Sequence, residues 1–206
     1  MTINKDYSVK SMDLQEIISG LKKVIPSDKT IDDVIFVCIG TDRSTGDSLG
    51  PYVGTKLKEK GYNNVYGTLI DPVHAVNLED TLAILPKDKF IIAFDACLGQ
   101  STSVGYIQVV NGPLRPGAGV NKQLPPVGDI HMTGIVNVGG FMEYFVLQNT
   151  RLSLVMQLGD KIVSAVESIF AQKEVKIVKS NTRVNQFNHQ RATIFVTKRK
   201  ISRHIS

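Results

Sequence analysis

Two aspartates stand out as candidate catalytic residues, because each follows a short apolar run of the sequence. Asp47 lies in the polar loop after the apolar run 34–39, and Asp95 directly follows the run 89–94. Apolar runs of this length and composition predict buried strands of a parallel sheet. Since the carboxyl ends of neighbouring parallel strands meet at one edge of the sheet, we expect both carboxyl groups at that edge, where α/β folds bind ligands.

A pair of carboxyl groups in a partly desolvated cleft can divide the work of general acid–base catalysis. Burial and mutual repulsion separate their pKa values, so that one group activates water while the other donates a proton. The same pair could instead hold a metal ion, with His131 as the third ligand. Each acid also has a structural interpretation, because Asp47 could cap the helix that begins at Ser48 and Asp95 could bond to loop amides.

The loop after the first apolar run carries further polar side chains that could contact a substrate. They are Thr41, Asp42, Arg43, Ser44 and Thr45. A phosphate site is disfavoured, because the loop lacks a Walker Gly-Lys-Ser/Thr and the spacing of a dinucleotide fingerprint, and because Asp47 would repel an anion. Serine catalysis is disfavoured too, since the sequence contains no Gly-x-Ser-x-Gly elbow.

Alternating strands and helices are expected to position these residues. We predict strands over residues 34–39, 65–70, 89–94, 104–110 and 191–197, and helices over 11–25 (capped by Ser11), 49–61, 77–86, 133–148 and 152–170. This alternation predicts a single α/β domain with a mainly parallel twisted sheet and helices on both faces. His74 reaches the same edge from the end of the second strand, and we expect it to serve helix entry or packing there.

The positive charge of the chain is concentrated at its carboxyl end. The 206 residues carry a net charge of +5, whereas residues 173–206 alone carry +8, from nine Lys or Arg and one Glu. We therefore expect one domain over residues 1–206, with a core of about 30–172 and a basic tail of about 173–206. The tail has no recognisable nucleic-acid module, which favours a solvated or partly strand-forming segment.

The same sequence gives an expectation about compartment. No apolar stretch approaches the roughly 20 residues that a membrane span needs, and the amino terminus lacks the apolar core of a signal peptide. We expect a cytoplasmic protein without a membrane partner, whose two cysteines, Cys38 and Cys97, are buried free thiols.

Three motifs, in this order, resemble the spore germination protease family, which degrades small acid-soluble DNA-binding proteins. They are Thr45-Gly-Asp-Ser-Leu-Gly-Pro, Phe94-Asp-Ala and Arg115-Pro-Gly-Ala-Gly-Val-Asn-Lys. Over about residues 30–170 the chain is most similar to a related group of smaller sporulation proteins, the YyaC type. The resemblance implies a phosphorylase/hydrolase-like fold, shared with hydrogenase maturation peptidases, and an atypical aspartate peptidase activity carried by Asp47 and Asp95.

The resemblance also implies roles for individual residues. The two aspartates would activate water and protonate the leaving amine, in an order that it does not decide. Gly117, Gly119 and Lys122 match a Pro-Gly-x-Gly loop that would shape the cleft. In the hydrogenase maturation peptidases a first-loop acid, an acid after the third strand and a later histidine contact a metal. The corresponding positions are Asp47, Asp95 and His131, and such ligands suit a divalent metal such as Ni or Zn.

Two functions therefore remain open from the sequence. One is a peptidase of sporulation or germination that acts on a protein or peptide, with small acid-soluble spore proteins as candidate substrates. The other is a non-catalytic sporulation factor that binds a protein or peptide in the same cleft. About 30 residues precede the first strand, which leaves little room for an activation propeptide and predicts a different regulation or substrate. The glycines of 134–140 would permit a close subunit contact, as in a homo-oligomer, or an intramolecular one.

Overall fold

The computed structural model describes residues 7–117 and 124–171. The strands are β1 (Ser8–Ser11), β2 (Val34–Cys38), β3 (Val65–Tyr66), β4 (Phe90–Gly99), β5 (Ile107–Asn111) and β6 (Ile130–Val138). The helices are α1 (Leu14–Val24), α2 (Leu49–Glu59), α3 (Leu78–Ile84), α4 (Glu143–Gln148) and α5, which is helical over residues 152–171. Short 3-10 turns occur at Ile31–Asp33, Gly46–Ser48 and Ser101–Ser103.

The six strands and the helices α1 to α4 belong to one compact unit, Met1–Ile169. Of the second unit, Phe170–Ser206, only residues 170 and 171 are described. The basic tail and the strand predicted over 191–197 lie outside the described residues. They stay predictions, as does the single domain over 1–206. Within the described ranges, no helix combines the length and the apolar character that crossing a membrane would require.

All six strands belong to one sheet, in the order β1-β5-β6-β4-β2-β3. The neighbouring strands β3, β2, β4 and β6 run parallel, whereas β5 and β1 are antiparallel and extend the sheet beyond β6. β4 therefore lies between two parallel partners, β2 and β6, in the interior of the sheet. The predicted α/β class with a mainly parallel sheet is confirmed.

Helices cover both faces of this sheet, as predicted. On one face, Gly134 of β6 lies against Leu49 of α2 and Leu158 of α5. On the other face, Leu78 at the start of α3 belongs to a buried apolar cluster with Val37 of β2 and Ala93 of β4. The two faces of β4 therefore meet different helices, and the face that carries Ala93 is the face on which Asp95 also lies.

Two elements near the site differ from the sequence prediction. Residues 133–148, expected as one helix, form the second half of β6, a loop and the short helix α4. Ile135, Val136 and Val138 are β-branched, which favours a strand. Pairing of β6 with both β4 and β5 stabilises the strand over the predicted helix. Because β6 runs beside it, β4 also continues to Gly99, and Asp95 lies inside the strand rather than after its end.

Two further boundaries differ for local reasons. The strand expected over 65–70 is limited to Val65–Tyr66, because Gly67 adopts a positive φ of 92° that ends the extended backbone. The first helix is capped by Asp13, whose carboxyl accepts hydrogen bonds from the amides of Gln15 and Glu16. Ser11, the predicted cap, instead donates its hydroxyl proton to Glu16 at 2.6 Å.

The start of α2 lies so close to β2 that glycine is required between them. A Cβ on Gly50 would collide with the backbone oxygen of Ile39, and a Cβ on Gly54 would collide with the backbone oxygen of Gly67. No side chain can be accommodated at either position without moving the backbone. This contact fixes the amino end of α2, and the turn Gly46–Ser48 that precedes it, against the end of β2.

We expect a Gly54→Ala variant to lose about 1–3 kcal/mol of the free energy of unfolding, because the added methyl group overpacks a backbone contact. Urea denaturation followed by circular dichroism measures the loss. Lys58→Ala, at an exposed position of the same helix, is the matched control and should change the free energy by less than about 0.5 kcal/mol. Equal midpoints for the two variants would contradict the close packing of α2 on the backbone that follows β3.

Candidate active site

Asp47 lies in the 3-10 turn Gly46–Ser48 that joins β2 to α2. The Thr41 amide donates to the Asp47 carbonyl oxygen at 3.1 Å, and the Ser48 hydroxyl donates to the Thr45 carbonyl at 2.7 Å. Ser48 is the N-cap of α2 and no side chain makes a capping bond there, so the structure does not use the Asp47 carboxyl as a cap. The turn therefore holds a half-buried carboxyl group at the edge of the sheet.

Asp95 lies on the enclosed strand β4, in register with Thr133 of β6. Its Oδ1 accepts a hydrogen bond of 2.7 Å from the Ala96 amide. Ala93, two residues earlier on the same face, belongs to the buried cluster under α3, so Asp95 is the residue at which this face changes from apolar to polar. The carboxyl group thus stands at the boundary of the core and is itself half-buried.

The two carboxyl groups act on each other electrostatically, and their surroundings are unequal. Burial raises the pKa of Asp95 well above its usual range, and the nearby charge of Asp47 raises it further, against the Ala96 amide. Burial also raises the pKa of Asp47, but there the Thr41 amide and His74 act in the opposite direction. Two carboxyl groups in such unequal environments favour a state in which the pair holds one proton.

His74 is a site residue that the sequence prediction assigned to packing. It follows Val73, which forms a bridge to Ile39 at the end of β2, and it lies near enough to Asp47 to affect the pKa of that carboxyl group. The signal available in the sequence was its position at the end of the second strand, which is the same edge of the sheet. That position alone does not distinguish a packing role from a functional one.

His131, the histidine predicted for a metal trio, does not join the acids. It pairs with Ala93, two residues before the Asp95–Thr133 pair, and its Nδ1 donates to the Gly112 carbonyl at 2.8 Å. Burial lowers the pKa of His131, while this hydrogen bond raises it. Over residues 7–117 and 124–171, no three His, Cys, Asp or Glu side chains are grouped closely enough to hold a metal ion. The described residues therefore do not fit the trio that the resemblance implied.

The remaining predicted binding residues belong to two segments. In the first loop Asp42 and Arg43 are exposed, Thr41 and Thr45 are half-buried and Ser44 is buried. In the second segment, Gly117 has a left-handed φ of 86°, and the Leu114–Val127 bridge closes the loop across its base. Gly119 and Lys122 lie outside the described residues, so their predicted contact with a substrate stays a prediction.

A cavity of about 670 Å³ lies beyond the carboxyl ends of β4 and β6, lined in part by Gln100, Thr102 and Glu143. Beside it, Phe141 is 81% exposed, and Met142, Tyr144 and Phe145 are exposed as well. Met142 itself adopts a left-handed backbone conformation, with a φ of 51°. Exposed apolar groups of this kind mark binding surfaces. Gly99, at the cavity, is four residues beyond Asp95, roughly 13 Å along an extended strand.

Comparison with known proteins finds a family, a similar protein and a similar fold. Residues 5–165 match the family model described as "Protein of unknown function (DUF1256)". The chain is 60% identical over 138 residues to a Bacillus subtilis (strain 168) protein described as "Uncharacterized protein YyaC", covering 65% of this chain and 67% of that protein. The fold is similar to the crystal structure of a NiFe hydrogenase maturation protease, HycI from Thermococcus kodakarensis KOD1. The TM-score is 0.50 at 17% identity, over 73% of this chain and 98% of that chain.

These matches confirm the YyaC-type resemblance and the distant kinship in fold with a hydrogenase maturation peptidase. At 17% identity the structural match shows a common fold and nothing about residues or chemistry. The resemblance to the spore germination protease family is tested by none of the three and stays a prediction.

We expect Asp95→Asn to stabilise the protein at neutral pH. Because the pKa of Asp95 is raised in the folded state, ionisation opposes folding as the pH rises above the ordinary range of aspartate, by about 1.4 kcal/mol for each pKa unit. The gain from Asn should therefore be largest near pH 7 and should vanish near pH 3, where the carboxyl group is protonated in both states. Thermal unfolding across this pH range measures it, with Asp88→Asn in an exposed turn as control. A gain independent of pH would contradict the electrostatic cause.

Two serines of the first loop give a matched pair of variants. Ser44 and Ser48 are 8% and 7% exposed, but only Ser48 makes a side-chain hydrogen bond to a described residue. We expect Ser48→Ala to lose about 1 kcal/mol of the free energy of unfolding, whereas Ser44→Ala should be neutral or slightly stabilising, since it removes a buried hydroxyl without a described partner. Chemical denaturation compares the two, and the opposite order of stability would be inconsistent with this structure of the loop.

Proposed function

The chain belongs to the DUF1256 family, and from its site we propose that it is a hydrolase that cleaves peptide bonds with Asp47 and Asp95. The observation that carries the proposal is the pair of half-buried carboxyl groups near the end of β2, where the charge of Asp47 raises the pKa of Asp95. The fold supports it, because the structural match at TM-score 0.50 is described as a maturation protease.

The chemistry requires the pair to hold one proton. The ionised carboxylate takes a proton from a water molecule as the water oxygen bonds to the carbonyl carbon of the substrate. The neutral carboxyl group gives its proton to the amide nitrogen as the carbon–nitrogen bond breaks, which releases an amine and an acid. A proton passed between the two carboxyl groups then restores the starting state. Groups whose environments separate their pKa values are suited to this division of roles.

A polypeptide is the substrate class that suits the surface around the pair. The cavity beyond Gly99 begins roughly 13 Å from Asp95, a distance spanned by about four residues of an extended peptide. The exposed side chains of Phe141 and Tyr144 add apolar surface beside this cavity. A substrate that reaches both the acids and this surface has to be longer than a single amino acid. We therefore place the cleaved bond at the acids and a flanking side chain at the cavity.

Asp47→Asn and Asp95→Asn should each reduce cleavage by about 100-fold or more, the lower range for loss of a general acid or base. Purified wild type and variants are incubated with a peptide library, and the products are identified by mass spectrometry. Asp88→Asn is the control for the same chemical change at an exposed position and should cleave at the wild-type rate. Circular dichroism and the melting temperature establish that each variant is folded.

Wild-type rates in either site variant would overturn the two-aspartate mechanism. A wild-type protein that binds library peptides saturably and cleaves none would overturn the hydrolase proposal and favour a peptide-binding factor. The substrate set includes small acid-soluble spore proteins, since they are the substrates of the family that the three motifs resemble.

A further inference from the structure

The short helix α4 connects the turn that carries Asp47 to the cavity beyond β4 and β6. Near the carboxyl end of the helix, a Cβ on Gly46 would lie 2.8 Å from Thr150 Oγ1 and 2.9 Å from Leu147 Cδ2. At the amino end, Glu143 lines the cavity. Leu147 and Glu143 are four residues apart, roughly 6 Å along a helix. A peptide that extends from Asp47 to the cavity therefore passes along α4.

Hydrogen bonds from β6 fix the position of α4. Asn137 of β6 donates through Nδ2 to the Val146 carbonyl at 3.3 Å and to Thr150 Oγ1 at 3.2 Å. The Thr150 hydroxyl in turn donates to the Val146 carbonyl at 2.9 Å. Because the carboxyl end of α4 is held both by the strand and by the close approach of Gly46, Glu143 at the other end has a defined position relative to the acid turn.

Glu143 supplies the charge of the cavity. Among the described residues that line it, Glu143 has the one charged side chain, and the others are Gly, Val, Ser, Thr and Gln. Its Oε1 accepts a hydrogen bond of 3.1 Å from the Gly140 amide. Over residues 7–117 and 124–171, no Lys, Arg or His forms an ion pair with it. A half-buried carboxylate that lines a cavity without a cation beside it is complementary to a positively charged ligand.

Exposed aromatic side chains flank this acid in the sequence. Phe141 is 81% exposed, and Tyr144 and Phe145 are also exposed, with their rings edge to face at 5.8 Å between centroids. Aromatic faces attract an ammonium or guanidinium group that approaches within about 6 Å of the ring centre. The carboxylate and the rings therefore favour the same ligand, a cationic side chain with an apolar stem.

The backbone of the turn before α4 is unusual at two residues. Gly140 has a φ of 128° and Met142 a φ of 51°. A residue other than glycine in the left-handed region is uncommon, and such residues cluster at ligand sites. Phe141 and Met142 are both exposed in this conformation rather than packed against the core, which indicates a binding role for the turn.

We propose that residues 139–145, the turn and the start of α4, form a subsite for a lysine or arginine side chain of a polypeptide, with Glu143 as the residue that determines this specificity. The place of the cationic residue in a cleaved substrate rests on the proposed function, whereas its binding does not. Since Gly99 at the cavity is roughly 13 Å from Asp95, the cationic residue lies about four residues from the cleaved bond. Arginine is preferred, because its planar guanidinium group can stack on a ring while it donates to a carboxylate.

The test uses three fluorescein-labelled decapeptides of glycine and serine with a central phenylalanine, which is preceded by arginine, glutamine or glutamate. Binding is measured by initial fluorescence anisotropy, before any cleavage. The wild type should bind the arginine peptide about fivefold more tightly than the glutamine peptide, as expected for a partly exposed ion pair with a cation–π contact. It should bind the glutamate peptide most weakly, and added salt should reduce these differences.

Variants of Glu143 separate its charge from its structural role. Glu143→Gln retains an oxygen that accepts from the Gly140 amide but removes the charge, so it should bind the arginine and glutamine peptides equally. Glu143→Lys should reverse the order and favour the glutamate peptide. Glu79→Gln is the matched control, because Glu79 is an exposed glutamate in the first turn of the short helix α3. This control should keep the wild-type order and affinities.

Cleavage of the peptide library gives the second readout. Lysine and arginine should be enriched about four residues from the cleaved bond. Glu143→Gln should lose this enrichment through a higher KM, with kcat changed less than about twofold, since the residue binds substrate away from the reacting atoms.

The two readouts distinguish failure of the subsite from failure of the hydrolase. If the wild type cleaves peptides without this enrichment and binds the three decapeptides equally, the subsite is wrong while the proposed function stands. If the arginine peptide is preferred and Glu143→Gln abolishes the preference, but no peptide is cleaved, the subsite stands and the hydrolase proposal falls. A preference for arginine that persists in Glu143→Gln would overturn the assignment of Glu143.

Discussion

The site depends on the backbone at Gly40 and Thr41, where β2 ends. One amide holds the segment that leads to His74, and the next holds the turn that contains Asp47. Gly40 has a φ of 139°, and a Cβ there would collide with the Asp47 carbonyl oxygen, so only glycine permits the approach. Hydrogen bonds between backbone groups fix the position of the chain without ordering a side chain. They therefore cost no side-chain conformational entropy. The geometry of the acid–imidazole side of the site is therefore a property of the main chain.

The other acid is placed by the sheet, and its placement has a cost. β4 lies between β2 and β6, so a carboxyl group on its inner face is desolvated by both neighbours and by the apolar cluster that includes Ala93. Burial and the charge of Asp47 both oppose ionisation of Asp95. The large buried side chains of the same strands, Phe36 and Phe94, provide the apolar burial that offsets this cost. Functional sites often contain a residue that destabilises the fold, and neighbouring residues compensate for the loss.

Local sequence patterns were sufficient for the acids but not for the histidines. The strand–loop–helix around Asp47 follows from an apolar run, a polar loop and a proline in the first turn of α2. The proximity of Asp95 follows from the parallel pairing of β2 with β4, which ends at Cys38 and Phe94, although β4 itself continues to Gly99. Which histidine approaches the acids depends instead on tertiary pairing. Residues 133–148 appear helical by themselves, but their first six residues form a strand because β4 and β5 flank them. The same register sets His131 beside Ala93. His74 is positioned by the turn after β3. The periodicity of apolar residues predicts strands and helices but not the conformation of this turn.

The different positions of His74 and His131 show that a shared fold does not determine which histidine lies near the acids. Two proteins at 17% identity can share a fold without sharing the side chains of a site. The imidazole of His131 is bonded through Nδ1 to the carbonyl of Gly112, just after β5. The imidazole of His74 accepts the Val76 amide through Nδ1 and lies near enough to Asp47 to affect the pKa of that carboxyl group. Since the two carboxyl groups are chemically identical, their unequal burial and unequal neighbours are what separate their pKa values.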